Sequence, residues 1–248
     1  KKASLDFDRA IVFNEKDGEL YYLSGNSYYQ LGENVIALDR LNNAVDFKNN
    51  FQEAYQVRSL VLMELRRFQE ALDDCRKSLK IKEDAKGYYN LAQVYEKLEM
   101  FPEAEEAYRK SLEENPRVLE AHFALANLLY RIENYPDAFI SVKQVLQLAP
   151  GILEGLLLKA QILAAQKNYP KAIEVLSVAS IEYPTEARIF LYRGEYYSAL
   201  NQAANAIIDY TRVIELDPGI ADVYYKRAGA YEIVRDYKEA MTDYEKLL

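Results

Sequence analysis

The residues most suited to catalysis in this sequence are its single cysteine and its single histidine. Cys75 is a potential nucleophile, and it would need a nearby base such as His122 to activate it. Both residues occupy positions of a repeated packing pattern described below, so we expect them to lie in the core. One cysteine cannot form an intrachain disulfide, and one histidine with one cysteine provides no zinc cluster.

Adjacent carboxylates are the second candidates for catalysis, because paired acids can divide the roles of general acid and general base. The clearest pairs are Asp73 with Asp74 and Glu105 with Glu106. Lysines and arginines stand close to both pairs on predicted helices, so we expect all four carboxylates to lie on solvated outer faces. The sequence also lacks a glycine-rich phosphate loop and metal-ligand spacing. We therefore predict no catalytic activity, no cofactor and no metal.

Composition and charge limit the classes of partner. The chain is 50% hydrophobic and 28% charged with only nine glycines, which favours a folded, helix-rich protein over a disordered or fibrous one. Its net charge of −8 disfavours nucleic acid and anionic membranes. No apolar run approaches the roughly 18 residues that a membrane span requires, so we predict no direct membrane contact. The cellular compartment is left open.

The chain is one motif repeated along its whole length. The period is 34 residues, with a single step of 33, and it is marked by Ala3, Ala37, Ala71, Ala104, Ala138, Ala172, Ala206 and Ala240. A bulky residue usually follows each alanine by four positions, which places both on one packed face of a helix.

A second helix-like pattern with the same period precedes seven of these alanines. It consists of a bulky residue, a small residue four positions later and a bulky residue three positions after that, as in Tyr88-Ala92-Tyr95 and Phe190-Gly194-Tyr197. Pro102, two residues before an alanine, is typical of the first turn of a helix, and the other prolines also fall at helix ends. Short turns between the two helices predict antiparallel neighbours.

This pattern resembles the tetratricopeptide repeat (TPR) family, whose unit combines W-x2-L-G-x2-Y, A-x3-F and P in a helix-turn-helix. Residues 88–116, YYNLAQVYEKLEMFPEAEEAYRKSLEENP, match that unit nearly position for position, with Tyr88 in place of tryptophan. The resemblance implies an all-α solenoid, a right-handed superhelix with first helices on its concave face and second helices on its convex face.

The register predicts a single array. Full repeats are expected at 18–51, 52–84, 85–118, 119–152, 153–186 and 187–220. Residues 1–17 read as the second helix of a truncated repeat and 221–248 as a final, incomplete one, which suggests a longer parent array and allows end-to-end self-association. Because repeat 52–84 is one residue short and Glu83 replaces a proline, two shorter arrays with a change of twist near 83–86 are the alternative.

The concave face is expected to bind an extended peptide, since amides offer both donors and acceptors and aromatic rings supply apolar contact. The side chains predicted to line it are Tyr22, Asn26, Tyr29, Tyr89, Gln93, Phe123, Asn127, Tyr130, Gln161 and Tyr225. Gln56 and Leu157 fall at the same register positions. We expect the stretch from Tyr89 to Gln161 to be its centre, although rings and amides at these positions are also common family background.

A chaperone-tail clamp is the most specific function that the resemblance offers, and the sequence argues against it. Such a clamp needs five basic and amide side chains, whereas the corresponding positions hold Tyr22, Asn26, Val57, Lys86 and Asn90, of which two fit. The predicted function is therefore a non-catalytic scaffold with an unidentified protein or peptide partner. The alternatives are a structural spacer or oligomerisation array, and a substrate-recruiting region of a larger enzyme or membrane-anchored protein.

Overall fold

The computed structural model describes residues 2–247, with side chains from residue 4 onward, and over that range its regular elements are helices joined by turns and short irregular segments. The packing predicted for Ala3 therefore lies outside the described side chains. In chain order the helices are α1 (Lys2–Phe13), α2 (Gly18–Gln30), α3 (Asn34–Phe47), α4 (Gln52–Glu64), α5 (Phe68–Ile81), α6 (Ala85–Lys97), α7 (Phe101–Glu114), α8 (Leu119–Arg131), α9 (Tyr135–Leu148), α10 (Leu153–Ala165), α11 (Tyr169–Glu182), α12 (Ala187–Ala199), α13 (Ala203–Leu216), α14 (Ala221–Ile233) and α15 (Tyr237–Glu245).

Two kinds of helix alternate along the chain. The even-numbered helices α2 to α14, here called first helices, each have 13 residues, and the odd-numbered helices α3 to α13, which with α1 and α15 are called second helices, each have 14. Pro102, Pro136 and Pro170 stand in the first turns of α7, α9 and α11, as the sequence predicts. A proline is tolerated there because its missing N–H has no helical partner.

The turn from each first helix to the next second helix repeats one backbone geometry. Its central residue has a left-handed conformation, with φ near +60° at Arg66 and Lys167 and +76° at Gly32. The next residue closes the helix end, as when the Arg67 N–H donates to the Leu62 carbonyl oxygen at 2.8 Å. This bond satisfies a carbonyl that the helix leaves unpaired, so the turn ends one helix and sets the direction of the next.

The repeated alanines form the closest helix contacts. From Ala37 to Ala240, all seven described members of the series are at most 2% exposed. The small residues of the first helices are also buried, and at Gly25 an added Cβ would lie 2.8 Å from the Leu41 Cγ. Side chains this small let the backbones approach, so the bulky residues around them can fill the remaining space.

The helices form two compact units, one ending at Ala121 and the other beginning at His122. In the first unit each helix from α1 to α7 packs on its chain neighbours, and the first helices α2, α4 and α6 also touch in sequence. In the second unit α9 to α15 pack in the same way, and α10 contacts α12. We call the surface formed by the first helices of each unit its first-helix face.

Candidate functional site

The two residues considered first for catalysis, Cys75 and His122, differ in burial. Cys75 is 1% exposed, and burial raises the pKa of its thiol to about 12, so the thiol is protonated at neutral pH. His122 is half-buried rather than fully buried, and it lies in the other unit. In residues 2–247 no group of three or more histidine, cysteine, aspartate or glutamate side chains is arranged to hold a metal ion.

The prediction that Asp74 lies on a solvated outer face is wrong. Its side chain is 3% exposed, and both carboxylate oxygens accept hydrogen bonds from the Arg58 guanidinium at 2.6 and 2.7 Å. Asp73 and Glu106 are exposed as expected, while Glu105 is half-buried and pairs with an arginine on its own helix. The pattern of residues along α5 does not reveal that Asp74 is buried, because the arginine that neutralises it comes from the preceding first helix.

The same ion pair recurs in two other repeats. Arg193 pairs with Asp209 and Arg227 with Asp243, again sixteen positions apart in the sequence and with both carboxylate oxygens engaged. The two aspartates are 3% and 4% exposed. These pairs join a first helix to its own second helix, so we assign them a structural role.

In the unit that ends at Ala121, the predicted binding residues are half-buried on the first-helix face. The Tyr22 ring packs on Phe51 with centroids 4.9 Å apart, and Tyr89 packs on Tyr108. The Gln93 amide donates to the Tyr89 hydroxyl at 3.2 Å. The side chains of Asn26 and Tyr29 are also half-buried.

Gln56 has a different role from its neighbours on this face. It is 4% exposed, and its amide donates to the Asp84 carboxylate at 3.0 Å, which ties α4 to the start of α6. Leu157, at the same register position in the other unit, is also buried, within the core. These two positions are therefore used for packing, and the expectation that they line a groove is wrong.

A cavity of about 420 Å³ opens beside Gln93 in the first unit. Its walls combine apolar, amide and charged side chains, and they are Met63, Glu64, Arg66, Phe68, Gln93 and Lys97. The pKa of Tyr29 is raised by burial and by the negative charge of Glu64, which is one of the residues that line this cavity.

In the unit that begins at His122, the predicted residues differ in whether their polar groups already form hydrogen bonds within the chain. The Asn127 amide donates to the Phe123 carbonyl of its own helix at 2.8 Å. Among the described residues the Gln161 side chain has no hydrogen-bond partner, and it is half-buried. Tyr225 is 60% exposed, with its ring 5.9 Å from that of Tyr244.

A cluster of tyrosines in this unit extends beyond the predicted residues. Tyr130 packs on Tyr135 with centroids 5.9 Å apart, and burial followed by the proximity of Tyr135 and Tyr192 raises its pKa. Tyr196 is buried against Tyr169, and burial raises its pKa strongly. The sequence contains a signal for Tyr192, which follows the bulky first-helix residue Phe190 by two positions, whereas the predicted binding residues follow the bulky residue by one, five or eight positions.

The alternating helices, the repeated turn and the buried alanines define the class of protein as an all-α repeat solenoid. Sequence models of the tetratricopeptide repeat match residues 52–84, 85–118, 187–220 and 221–248. The chain belongs to the tetratricopeptide repeat family, which confirms the resemblance and the fold class predicted from the sequence. Proteins of this family are generally scaffolds for protein interaction and bind protein or peptide partners.

Similar proteins support the same assignment at different levels. A curated relative, mouse DnaJ homolog subfamily C member 7, is 34% identical over 74 residues, which are 30% of this chain and 15% of that protein. The match thus spans about a sixth of the relative's length.

No helix within residues 2–247 has the length and apolar character needed to cross a membrane.

Two solved structures show the same fold. The C-terminal part of a TPR repeat-containing protein from Cytophaga hutchinsonii has a TM-score of 0.81 at 17% identity, covering 92% of this chain and 94% of that chain. YrrB, described as a TPR protein with an unusual peptide-binding site, has a TM-score of 0.62 at 24% identity, covering 74% and 95%. At this identity the two structures inform the fold alone.

Proposed function

We propose that this chain is a non-catalytic scaffold that binds an extended peptide, or an extended segment of a partner protein, on its first-helix face. The best-supported site lies in the unit that begins at His122. The general role of the family supports a scaffold, and the chemistry of the face supports an extended ligand.

The observation that carries this proposal is a set of unused hydrogen-bonding groups beside aromatic rings. Tyr130 on α8, Gln161 on α10 and Tyr192 on α12 are all half-buried. Among the described residues no hydrogen bond satisfies the Gln161 amide or the hydroxyls of Tyr130 and Tyr192. Three consecutive first helices therefore offer donors and acceptors next to apolar ring surface.

An extended peptide matches this chemistry. Its backbone presents carbonyl and N–H groups at regular intervals, which tyrosine hydroxyls and an amide can pair with, and its side chains can pack on the rings. Half-buried groups lose little further solvation when the peptide adds its contacts. The solved structure of YrrB supports the proposal in one respect, because its description assigns a peptide-binding site to a chain with this fold.

The test begins with selection of peptides from a displayed random library on the immobilised chain, followed by calorimetric measurement of Kd. Replacing both Tyr130 and Gln161 by alanine should weaken binding of the selected peptides by at least roughly tenfold, since it removes ring contact and two hydrogen-bonding groups. Lys143→Ala is the matched control, because Lys143 is exposed on the second helix α9. We expect the control to bind like the wild type.

Two results would reject the proposal. One is a double variant that keeps its fold by circular dichroism and binds the selected peptides as tightly as the wild type. The other is that the library yields no peptide that binds the first-helix face, which would favour a structural spacer.

A further inference from the structure

A second cavity lies on a different side of the unit that begins at His122. It has a volume of about 320 Å³ and is formed by α9, α10 and α11, so we call it the α9–α11 cavity. The residues that line it are Phe139, Leu156, Lys159, Leu163, Lys171, Glu174, Val175 and Val178. Leu156, Lys159 and Leu163 share one face of α10, whereas Gln161 of the first-helix face points elsewhere.

The cavity occupies the place where other repeats have a buried ion pair. Lys159 and Val175 are sixteen residues apart and correspond to Arg58 and Asp74 of α4 and α5. The Arg58 pair also stands in a cavity, which is smaller, at about 160 Å³, and lined by equivalent positions. In α10 and α11 the base is therefore kept as lysine while the acid is replaced by valine.

This replacement leaves the lysine without its internal partner. No carboxylate among the described residues forms an ion pair with the Lys159 ammonium, although Glu174 stands exposed at the rim. In the helix pair α6–α7 both positions are apolar, with Leu91 in place of the base and Ala107 in place of the acid. A half-buried lysine beside apolar walls is favourable to a carboxylate that arrives with an apolar group attached.

An exposed apolar side chain lies at the edge of the cavity. Val178, which lines it, is 61% exposed. The position of Val178 is occupied by Lys77 in α5 and by Lys110 in α7.

We propose that the α9–α11 cavity is a docking site for a protein segment that inserts an apolar side chain next to an aspartate or glutamate. The carboxylate pairs with Lys159 and so replaces the acid that Asp74 supplies in α5. The apolar side chain packs on Phe139, Leu163 and Val178. This site is separate from the peptide-binding face proposed above and does not depend on it.

The test uses a pair of blocked peptides, acetyl-Leu-Leu-Asp-Leu-Leu-amide and its asparagine counterpart, titrated into the whole chain with labelled valine and leucine methyl groups. We expect the methyl resonances of Val175 and Val178 to shift with the aspartate peptide. The asparagine peptide should bind roughly tenfold more weakly, because it lacks the charge that pairs with Lys159.

Val175→Asp is the decisive variant, because it restores the internal acid at the position of Asp74. It should fold like the wild type and weaken binding of the aspartate peptide roughly tenfold or more. Lys159→Met should remove the preference for aspartate over asparagine, and it tests the same contact if Val175→Asp does not fold. Lys143→Ala, at an exposed position of α9 that does not line the cavity, is the control and should bind like the wild type.

Several results would overturn the proposal. They are equal binding of the two peptides, unchanged binding by Val175→Asp, and no shift of the Val175 and Val178 methyls at millimolar aspartate peptide. Concentration-dependent self-association in sedimentation that Val175→Asp abolishes would instead assign the site to a second copy of the chain. Binding to phosphatidylcholine vesicles that depends on Val178 would assign it to lipid.

Discussion

The Arg193–Asp209 ion pair allows the stability of one repeat to be tested quantitatively. Arg193 donates from Nε and Nη2 to the two carboxylate oxygens at 2.8 and 2.7 Å, and the side chains are only 16% and 3% exposed. Arg193 also donates to the hydroxyls of Ser177 and Ser180. Asp209→Ala would leave the Arg193 guanidinium in this largely buried site without its carboxylate partner.

The cost of that single change follows from the burial of both partners. A charge left without its partner in a largely buried site destabilises a protein by more than the pair itself contributes, so we expect Asp209→Ala to lower the free energy of unfolding by about 3 kcal/mol. Arg193→Leu should cost a similar amount, because it leaves the aspartate uncompensated. The pKa of Arg193 is raised by hydrogen bonding to Asp209, opposed by burial, so the arginine stays charged.

The double variant should be far less harmful than either single variant. Arg193→Leu with Asp209→Ala installs the combination that α6 and α7 carry as Leu91 and Ala107, both of which are buried. Replacing a buried ion pair by apolar residues is often nearly neutral, so we expect a loss of about 1 kcal/mol or less.

Urea unfolding followed by circular dichroism measures these differences without adding salt that would screen the charges. The dependence of unfolding free energy on urea should be the same in all variants, which shows that the extent of unfolding is unchanged. The reasoning is refuted if the double variant loses as much stability as the two single variants added together. It is also refuted if Asp209→Ala melts like the wild type.

Three further predictions test the packing, the turns and the charges. Ala138→Leu should overpack a fully buried helix contact and cost about 1–3 kcal/mol, whereas Lys110→Ala on an exposed surface should leave the melting temperature unchanged; equal shifts would contradict the register. Gly32→Ala should cost about 1 kcal/mol in urea unfolding, because φ is +76° and nothing lies within 4 Å of an added Cβ. The pKa of Asp8 is lowered from 3.8, since burial, which raises it, is outweighed by hydrogen bonds from Tyr28 and Ser24 and by the charge of Arg40. Its contribution to stability should therefore be complete above about pH 5 and disappear as the pH falls below 4, and acid titration of Asp8→Asn should lack this component.

Much of the fold could be predicted because the repeat multiplies each weak signal. A single alanine on a helix says little, but a series at one period fixes the register of every helix, and Ala37, Ala138 and Ala206 are all fully buried. The prolines fix the first turns of three second helices in the same way. The left-handed turn residues could not be predicted, because lysine and arginine adopt that conformation at Lys167 and Arg66 without a sequence signal.

The candidate site was predicted less well, because register places a side chain on a face but does not show what it already contacts. Gln56 and Gln161 are both first-helix glutamines at positions assigned to the binding face by register, yet the Gln56 amide donates to Asp84 and Gln161 has no partner among the described residues. Tyr192 became visible only when its proximity to Tyr130 was known. Polar contacts between helices depend on pairs of residues, and a pattern along one chain does not reveal pairs.

The comparison of equivalent positions across helix pairs supplies part of that missing information. Two kinds of residue pair occupy this position without needing another molecule. One is the ion pair of Arg58 with Asp74, and the other is the apolar pair of Leu91 with Ala107. Lys159 with Val175 is neither, because it keeps the cation without the anion and leaves a cavity between them. A lysine without its carboxylate lowers the stability of the repeat. Binding of another molecule that supplies the missing carboxylate offsets this loss. Addition of the aspartate peptide should therefore raise the melting temperature of the wild type, and it should raise that of Val175→Asp much less.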